Sequence, residues 1–260
     1  MQIDLNADVG EGLGPWKMGE DSALFDIISS ANIACGFHAG DPLIMSKTLK
    51  LAKLRGIDIG AHVGFPDLQG FGRRVMHIDI EELSAMVVYQ LGALAGLAQA
   101  AGCRMTHMSF HGALGNMVAA DPLLANPLIK AVADYDSALI VSSSSSRAIE
   151  DACATYGLTV ATSFLADRAY DKEGLLVPRK LPNSVIHDKQ QVLARIKQLL
   201  ETGTVTTYTN EIIAAKAQSI LVHGDTPGSV ALAQAIRLEI EKQGGKIVPI
   251  SQQISGLNPS

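Results

Sequence analysis

Side chains able to do acid–base or ligand chemistry recur in this chain where short apolar runs stop. Asp4, Asn6 and Asp8 alternate with Ile3, Leu5 and Ala7, and Glu11 follows closely. Residues two apart share one face of a strand, so the three polar side chains point one way and the apolar three the other. Asn32, His38 and Asp41 close a second run, His62 and Asp67 a third, and His111 a fourth. Asp167 with Arg168, and His223 with Asp225, close two later ones. Neutral imidazoles act as general bases or metal ligands near neutral pH. Carboxylates crowded among them act as bases or hold a cation that relieves their repulsion. The catalytic candidates are therefore Asp8, His62, His111 and His223. No H-x-x-x-H pair occurs, so a divalent metal would need ligands from separate strands, with Asp8, His38 and His62 as candidates. His77, His107 and His187 lack such a setting and are expected to be structural or at the surface.

Groups that could hold an anionic substrate or nucleotide lie beside these. Asp41-Pro42 and Thr226-Pro227 read as helix starts, a capping side chain followed by proline at the first helical position. Free amides at such ends favour carboxylate or phosphate. Arg73, Arg74, Arg168 and Arg179 offer planar guanidinium forks for the same anions. The candidate binding residues are Asn6, Glu11, His38, Asp41, Arg73, Arg74, Asp167, Arg168 and Asp225. The glycines at 10, 12 and 14 allow close backbone approach, but no Gly-Lys-Ser/Thr follows, so any nucleotide is held without a P-loop.

Positioning all of these on one surface requires a particular arrangement of elements. Strand-type runs are expected near residues 2–6, 31–35, 57–61, 105–110, 138–141, 159–162 and 219–222, with a strand or closing segment at 246–250. Helical patterns lie between them, near 41–54, 79–101, 122–133, 147–156, 189–200 and 230–242. Strands alternating with helices imply a parallel sheet. Seven or eight such units suggest one closed (β/α) barrel over residues 1–260, whose strand ends meet on one face. The inward face of the first strand then carries Asp4, Asn6 and Asp8. The five serines at 142–146 read as a polar loop whose end caps the helix at Arg147. Residues 251–260 are expected to form a flexible tail.

Of 260 residues, 26 are acidic and 21 basic, and the net charge of −5 gives no footprint for nucleic acid or an anionic membrane. Cys35, Cys103 and Cys153 lack C-x-x-C spacing and are expected to be reduced, in a cytoplasmic protein. The acidic N-terminal residues argue against a signal peptide, and no apolar run is expected to reach the roughly 18 residues of a membrane span.

The segments DLNADVGEG (4–12), ANIACGFHAGDP (31–42), GAHVGFPDLQGFGRR (60–74), ADRAY (166–170), LVPR (176–179) and VHGDTPG (222–228) resemble the signature blocks of the LamB/YcsF family. The resemblance runs from residue 4 to residue 228. It implies a barrel of the glycoside hydrolase/deacetylase type, commonly seven-stranded. It also implies ATP-dependent opening of 5-oxo-L-proline to L-glutamate, in the role of the A-type component working with partner subunits B and C. One block departs from the family pattern Val-Lys-Pro-His-Gly-Ala-Leu-Tyr-Asn. Here Ser109 stands at its lysine, Phe110 at its proline and Gly115 at its tyrosine, while His111 and Asn116 remain. A diverged substrate or altered nucleotide handling is the expectation this raises. Two rival readings stay open on the residues alone: a metal-dependent deacetylase or amidohydrolase, and a substrate-binding subunit without chemistry of its own.

Overall fold

The apolar face of the first strand decides where that strand sits. Ile3, Leu5, Ala7 and Val9 are all buried, and so are Asp4, Asn6 and Asp8 on the opposite face. A strand buried on both faces with polar groups on one side belongs inside a layer of helices, around a polar interior. A computed structural model describes residues 1–226 and 228–255. In it β1 (Gln2–Val9), β2 (Ser30–Ala34), β3 (Asp58–Val63), β4 (Met105–Phe110), β5 (Ile140–Ser143) and β6 (Thr159–Leu165) pair in sequence order, all parallel. After a small antiparallel hairpin of β7 (Thr204–Thr206) and β8 (Ile212–Ala214), β9 (Ser219–His223) pairs with both β6 and β1 and closes the ring. The ring is a closed, parallel seven-stranded barrel, as expected. The two-residue β10 (Lys246–Ile247) adds beside the start of β1 rather than forming an eighth barrel strand.

The helices are α1 (Asp21–Leu24), α2 (Pro42–Arg55), α3 (Ile80–Ala101), α4 (Gly112–Ala120), α5 (Pro122–Tyr135), α6 (Arg147–Tyr156), α7 (Lys189–Thr202), α8 (Ser229–Lys242) and α9 (Ile250–Ser255). Local chemistry sets several of their ends. Asp41 accepts from the amides of Leu43 and Ile44 with Pro42 behind it, and Ser146 accepts from Ile149, both as expected. The expected start at Thr226-Pro227 is different. Helix α8 begins at Ser229 behind Gly228, whose φ of 82° and missing side chain provide no capping oxygen, and Pro227 lies outside the described residues.

Two further expectations are corrected. Helix α3 is 22 residues long and apolar enough, by length and composition, to cross a membrane. Its place explains the composition: Leu83, Val87, Leu91, Leu94 and Ala98 are buried in the barrel's core, with α2 and α5 at its flanks. Residues 251–255, expected as flexible tail, instead belong to α9, whose Ile250 and Ile254 bury against Ile140 and Ala161. Their two apolar side chains fill the barrel end opposite the polar mouth. Residues 256–260 lie outside the described residues.

Candidate functional site

The barrel interior is layered, and each layer orients the next. At the bottom Asp4 accepts from Ser29 Oγ at 2.7 Å and Ser219 Oγ at 2.6 Å. One layer up, Asn6 donates to Asn32 Oδ1 at 3.3 Å. Asn32 Oδ1 also takes a bond from His107 Nε2 at 3.0 Å, and Asn32 Nδ2 donates to Asp8 Oδ1 at 2.8 Å. His107 fits because its register neighbour Gly60 has no Cβ, which would otherwise collide with the ring. His107 is thus a buried structural residue, and burial pushes its pKa down to about 3.

Asp8 opens the mouth layer. Its Oδ2 lies 3.5 Å from His62 Nε2, and it pairs in register with His223 across β1 and β9. Burial raises Asp8 to about 6, against the pull of His223 and Asn32. His62 Nδ1 lies 2.7 Å from Ser109 Oγ, its Nε2 lies 2.9 Å from His111 Nδ1, and His111 Nε2 lies 2.8 Å from the Phe71 carbonyl. His38 stacks on His111, ring centroids 3.8 Å apart and planes 8° apart. Two glycines make room for the stack. A Cβ on Gly64 would lie 2.7 Å from His38 Nδ1, and one on Gly72 (φ 62°) would lie 2.7 Å from atoms of both residues. Glu11 Oε1 completes the group, 3.4 Å from His38 Nε2 and 3.8 Å from His111 Nδ1. Burial holds His38 and His111 well below the ordinary imidazole range and His62 at about 3, so all three rings are neutral. Burial and the nearby Asp8 and Asp225 raise Glu11 well above its usual value.

Donor atoms of Glu11, His38, His62 and His111 all lie within 4.8 Å of one another, the composition of a possible metal site. This set differs from the strand-end candidates Asp8, His38 and His62. The turn after β1 brings Glu11 inward and the stack brings His111, while Asp8 stands beside the group. Both ring nitrogens of His38 are buried without a hydrogen-bond partner among the described residues.

A second pair borders the mouth. His223 Nδ1 lies 2.8 Å from Asp167 Oδ1, and Arg179 Nη2 donates to His223 Nε2 at 3.3 Å. A guanidinium only donates, so the ring is neutral with its proton on Nδ1. Burial pulls His223 down, but Asp167 outweighs it and the net shift is upward. Asp167 shifts downward despite its burial, because His223 stabilises its charge. Arg73 donates to Asp225 at 2.8 Å and lies over the Phe71 ring at 4.8 Å.

The remaining sequence candidates lie elsewhere. Asn6 sits one layer deeper. Asp41 is half-buried and occupied as a helix cap, also accepting from Gly14 N at 2.8 Å. Arg74 is largely exposed and paired to Asp67, which that pairing keeps below its usual range. Arg168 is buried and braces a loop, donating to the carbonyls of Val177 and Ser184. Among residues not picked as binding candidates, Asn32 carried the positional signal of a strand residue. Gln90 carried none: it lies inside α3 and bonds both the amide and the carbonyl of Gly64, each at 3.0 Å.

The LamB/YcsF family model matches residues 3–255. The chain is 65% identical over 254 residues to the second of the numbered 5-oxoprolinase A subunits of Ralstonia nicotianae, covering 98% of each chain. It is 66% identical over 252 residues to the first such A subunit of Pseudomonas syringae pv. tomato, covering 97% of this chain and 98% of that one. A crystal structure of a lactam utilization protein from Thermus thermophilus superposes with a TM-score of 0.88 at 36% identity, covering 95% of this chain and 99% of that one.

Proposed function

The chain belongs to the LamB/YcsF family, and from that premise we propose that it is the A subunit of an ATP-dependent 5-oxoprolinase. It would open 5-oxo-L-proline to L-glutamate within a complex that includes B- and C-type partner subunits. The observation that carries this reading is likeness over nearly the whole chain to two proteins of that name.

The obstacle in the reaction is an unactivated amide. ATP hydrolysis by the assembled enzyme overcomes it by phosphorylating the lactam oxygen, which makes the ring carbon electrophilic. Water then adds at that carbon, and the carbon–nitrogen bond breaks as the ring nitrogen takes a proton. A second water hydrolyses the resulting acyl phosphate to the glutamate carboxylate and phosphate. Arg73 and Arg179 are suited to hold the carboxylate and the phosphoryl group. Asp8 is ionised at neutral pH and suited to take a proton from the attacking water. When Arg179 turns to a substrate carboxylate, His223 Nε2 is freed to carry a proton. Asp167 stabilises the resulting imidazolium, which can protonate the leaving nitrogen.

The Glu11–His38–His62–His111 group favours a second reading, metal-dependent hydrolysis of an amide or ester without nucleotide. Bound there, a divalent metal would supply Lewis acidity toward a carbonyl oxygen. The test is glutamate release from 5-oxoproline, with and without ATP and with and without the B- and C-type partners. The first reading expects release only when ATP and partners are all present. Release without ATP that chelation abolishes would sink it in favour of the second.

A further inference from the structure

We propose that Glu11, His38, His62 and His111 bind one divalent first-row transition-metal ion, and that Ser109 sets its affinity by following the tautomer of His62. Proton positions around the two central rings lead to this. The Phe71 carbonyl can only accept, so His111 Nε2, 2.8 Å away, carries the ring's proton and its Nδ1 is bare. His62 Nε2, 2.9 Å from that bare nitrogen, must then be the donor. That leaves His62 Nδ1 bare, and it accepts from the Ser109 hydroxyl at 2.7 Å. Without an ion the protons therefore run one way, from Ser109 through His62 and His111 to the Phe71 carbonyl.

An ion substitutes for only one of these bonds. If the proton on His62 moves from Nε2 to Nδ1, His62 Nε2 and His111 Nδ1 are bare together and face the same point. The Ser109 hydroxyl turns from donor to acceptor. Each ligating ring then holds its other N–H against an oxygen, which fixes ring orientation and raises ligand basicity. His38 supplies the independent observation. It is buried, and neither of its ring nitrogens has a hydrogen bond within the described structure, an arrangement that a ligand role accounts for. Ligand atoms at about 2.1 Å from a tetrahedral ion stand about 3.4 Å apart. Three of the separations, 2.9, 3.4 and 3.8 Å, bracket that value and all lie within 4.8 Å, so the side chains must draw together to seat the ion. Three imidazoles with one carboxylate suit Zn²⁺ or Co²⁺ and not Mg²⁺, which prefers oxygen and water ligands.

Ser109 matters because a hydroxyl donates or accepts as needed, whereas a lysine ammonium only donates. A lysine at this position would hold His62 in the tautomer that opposes the ion. The test uses the full chain, stripped with chelator and titrated with Zn²⁺ by calorimetry, with Co²⁺ absorption as an optical readout and Mg²⁺ as competitor. Circular dichroism checks the fold of every variant. The expected result is one Zn²⁺ per chain that equimolar Mg²⁺ does not displace. Glu11→Gln and His38→Gln should each weaken binding at least about tenfold, and Ser109→Lys by about 10–100-fold. Ser109→Thr, which keeps the hydroxyl, should bind within about threefold of the parent. Zn²⁺ binding that is absent, or that His38→Gln and Glu11→Gln leave unchanged, overturns the site. Parent-like binding by Ser109→Lys, or loss in a folded Ser109→Thr, overturns the tautomer argument. The measurement needs no lactam, ATP or partner, so its failure is separate from failure of the 5-oxoprolinase reading.

Discussion

Asp8 stands between two histidine systems, 3.5 Å from His62 on one side and paired in register with His223 on the other. Burial raises its pKa to about 6, yet the carboxylate is still ionised at neutral pH. A base with this pKa is lost as pH falls through about 6, so turnover should drop on that acidic side. Stability runs the other way. A carboxyl whose folded pKa exceeds its unfolded value of 3.8 favours the fold below that value and loses this contribution as pH rises through 6. Asp8→Asn copies the uncharged form and keeps an oxygen for Asn32 Nδ2. It should therefore melt no lower than the parent at pH 7, while turnover falls roughly 10²–10⁴-fold. A variant that loses stability along with activity would mark Asp8 as structural. The second system gives a separate expectation. Asp167→Asn removes the charge that holds His223 up, so the His223 pKa, followed by NMR titration, should fall. An unchanged titration would show that Asp167 does not govern the ring. Residue types at strand ends were legible in the sequence, because alternation assigns Asp4, Asn6 and Asp8 to one face. Which histidine meets which acid was not, because that depends on how the turns carrying Glu11, Gly64 and Gly72 fold inward.

Elements position these residues through a few polar contacts that carry no periodic signal. Gln90 is the main one: a buried amide in α3 that satisfies both backbone groups of Gly64, the glycine pressed against His38. Gln90→Leu keeps the helix and the volume but strands a buried N–H and a buried C=O. At about 1–3 kcal/mol for each of the two unsatisfied groups, urea unfolding should show a loss of about 2–6 kcal/mol. Because the Gly64 turn backs the histidine stack, the folded variant should also lose turnover. Parent-like stability would mean that the turn finds other partners. Elements with strong local signals were legible. The strand at 105–110 has the expected bounds, and Asp41 and Ser146 cap the helices they precede. Helix α4 was not separated from its strand block, and the β7–β8 hairpin was missed. Hairpin strands of three residues, half-exposed, are too short for alternation to register.

At the scale of the whole barrel, chemistry and closure lie at opposite ends. The mouth gathers the histidines and acids, whereas the other end is stopped by α9, in a segment whose sequence ISQQIS has only two apolar residues. Those two are what the barrel needs: Ile250 and Ile254 bury against Ile140 and Ala161. Backbone and amide groups tie the same helix to three strand starts. Ile250 N donates to Ser30 Oγ at 3.1 Å, Ser251 N to Asp58 Oδ2 at 2.9 Å, and Gln253 Nε2 to the Gln2 carbonyl at 2.9 Å. Function at one end and stability at the other is the usual division in such barrels. Ending the chain after Val248 should therefore cost stability without touching the mouth. Burying the two isoleucines stabilises by about 1.5–3 kcal/mol each, so the loss should be about 3–6 kcal/mol. For a domain of this size that corresponds to a melting point lower by roughly 6–24 °C. Below its own transition, the shortened chain should bind Zn²⁺ within about threefold of the parent and keep the same acid limb near pH 6. A truncated chain that melts with the parent would show that α9 is not a stopper. One that stays folded but loses Zn²⁺ binding would show that the two ends are coupled through the layered interior of Asp4, Asn32 and Asp8.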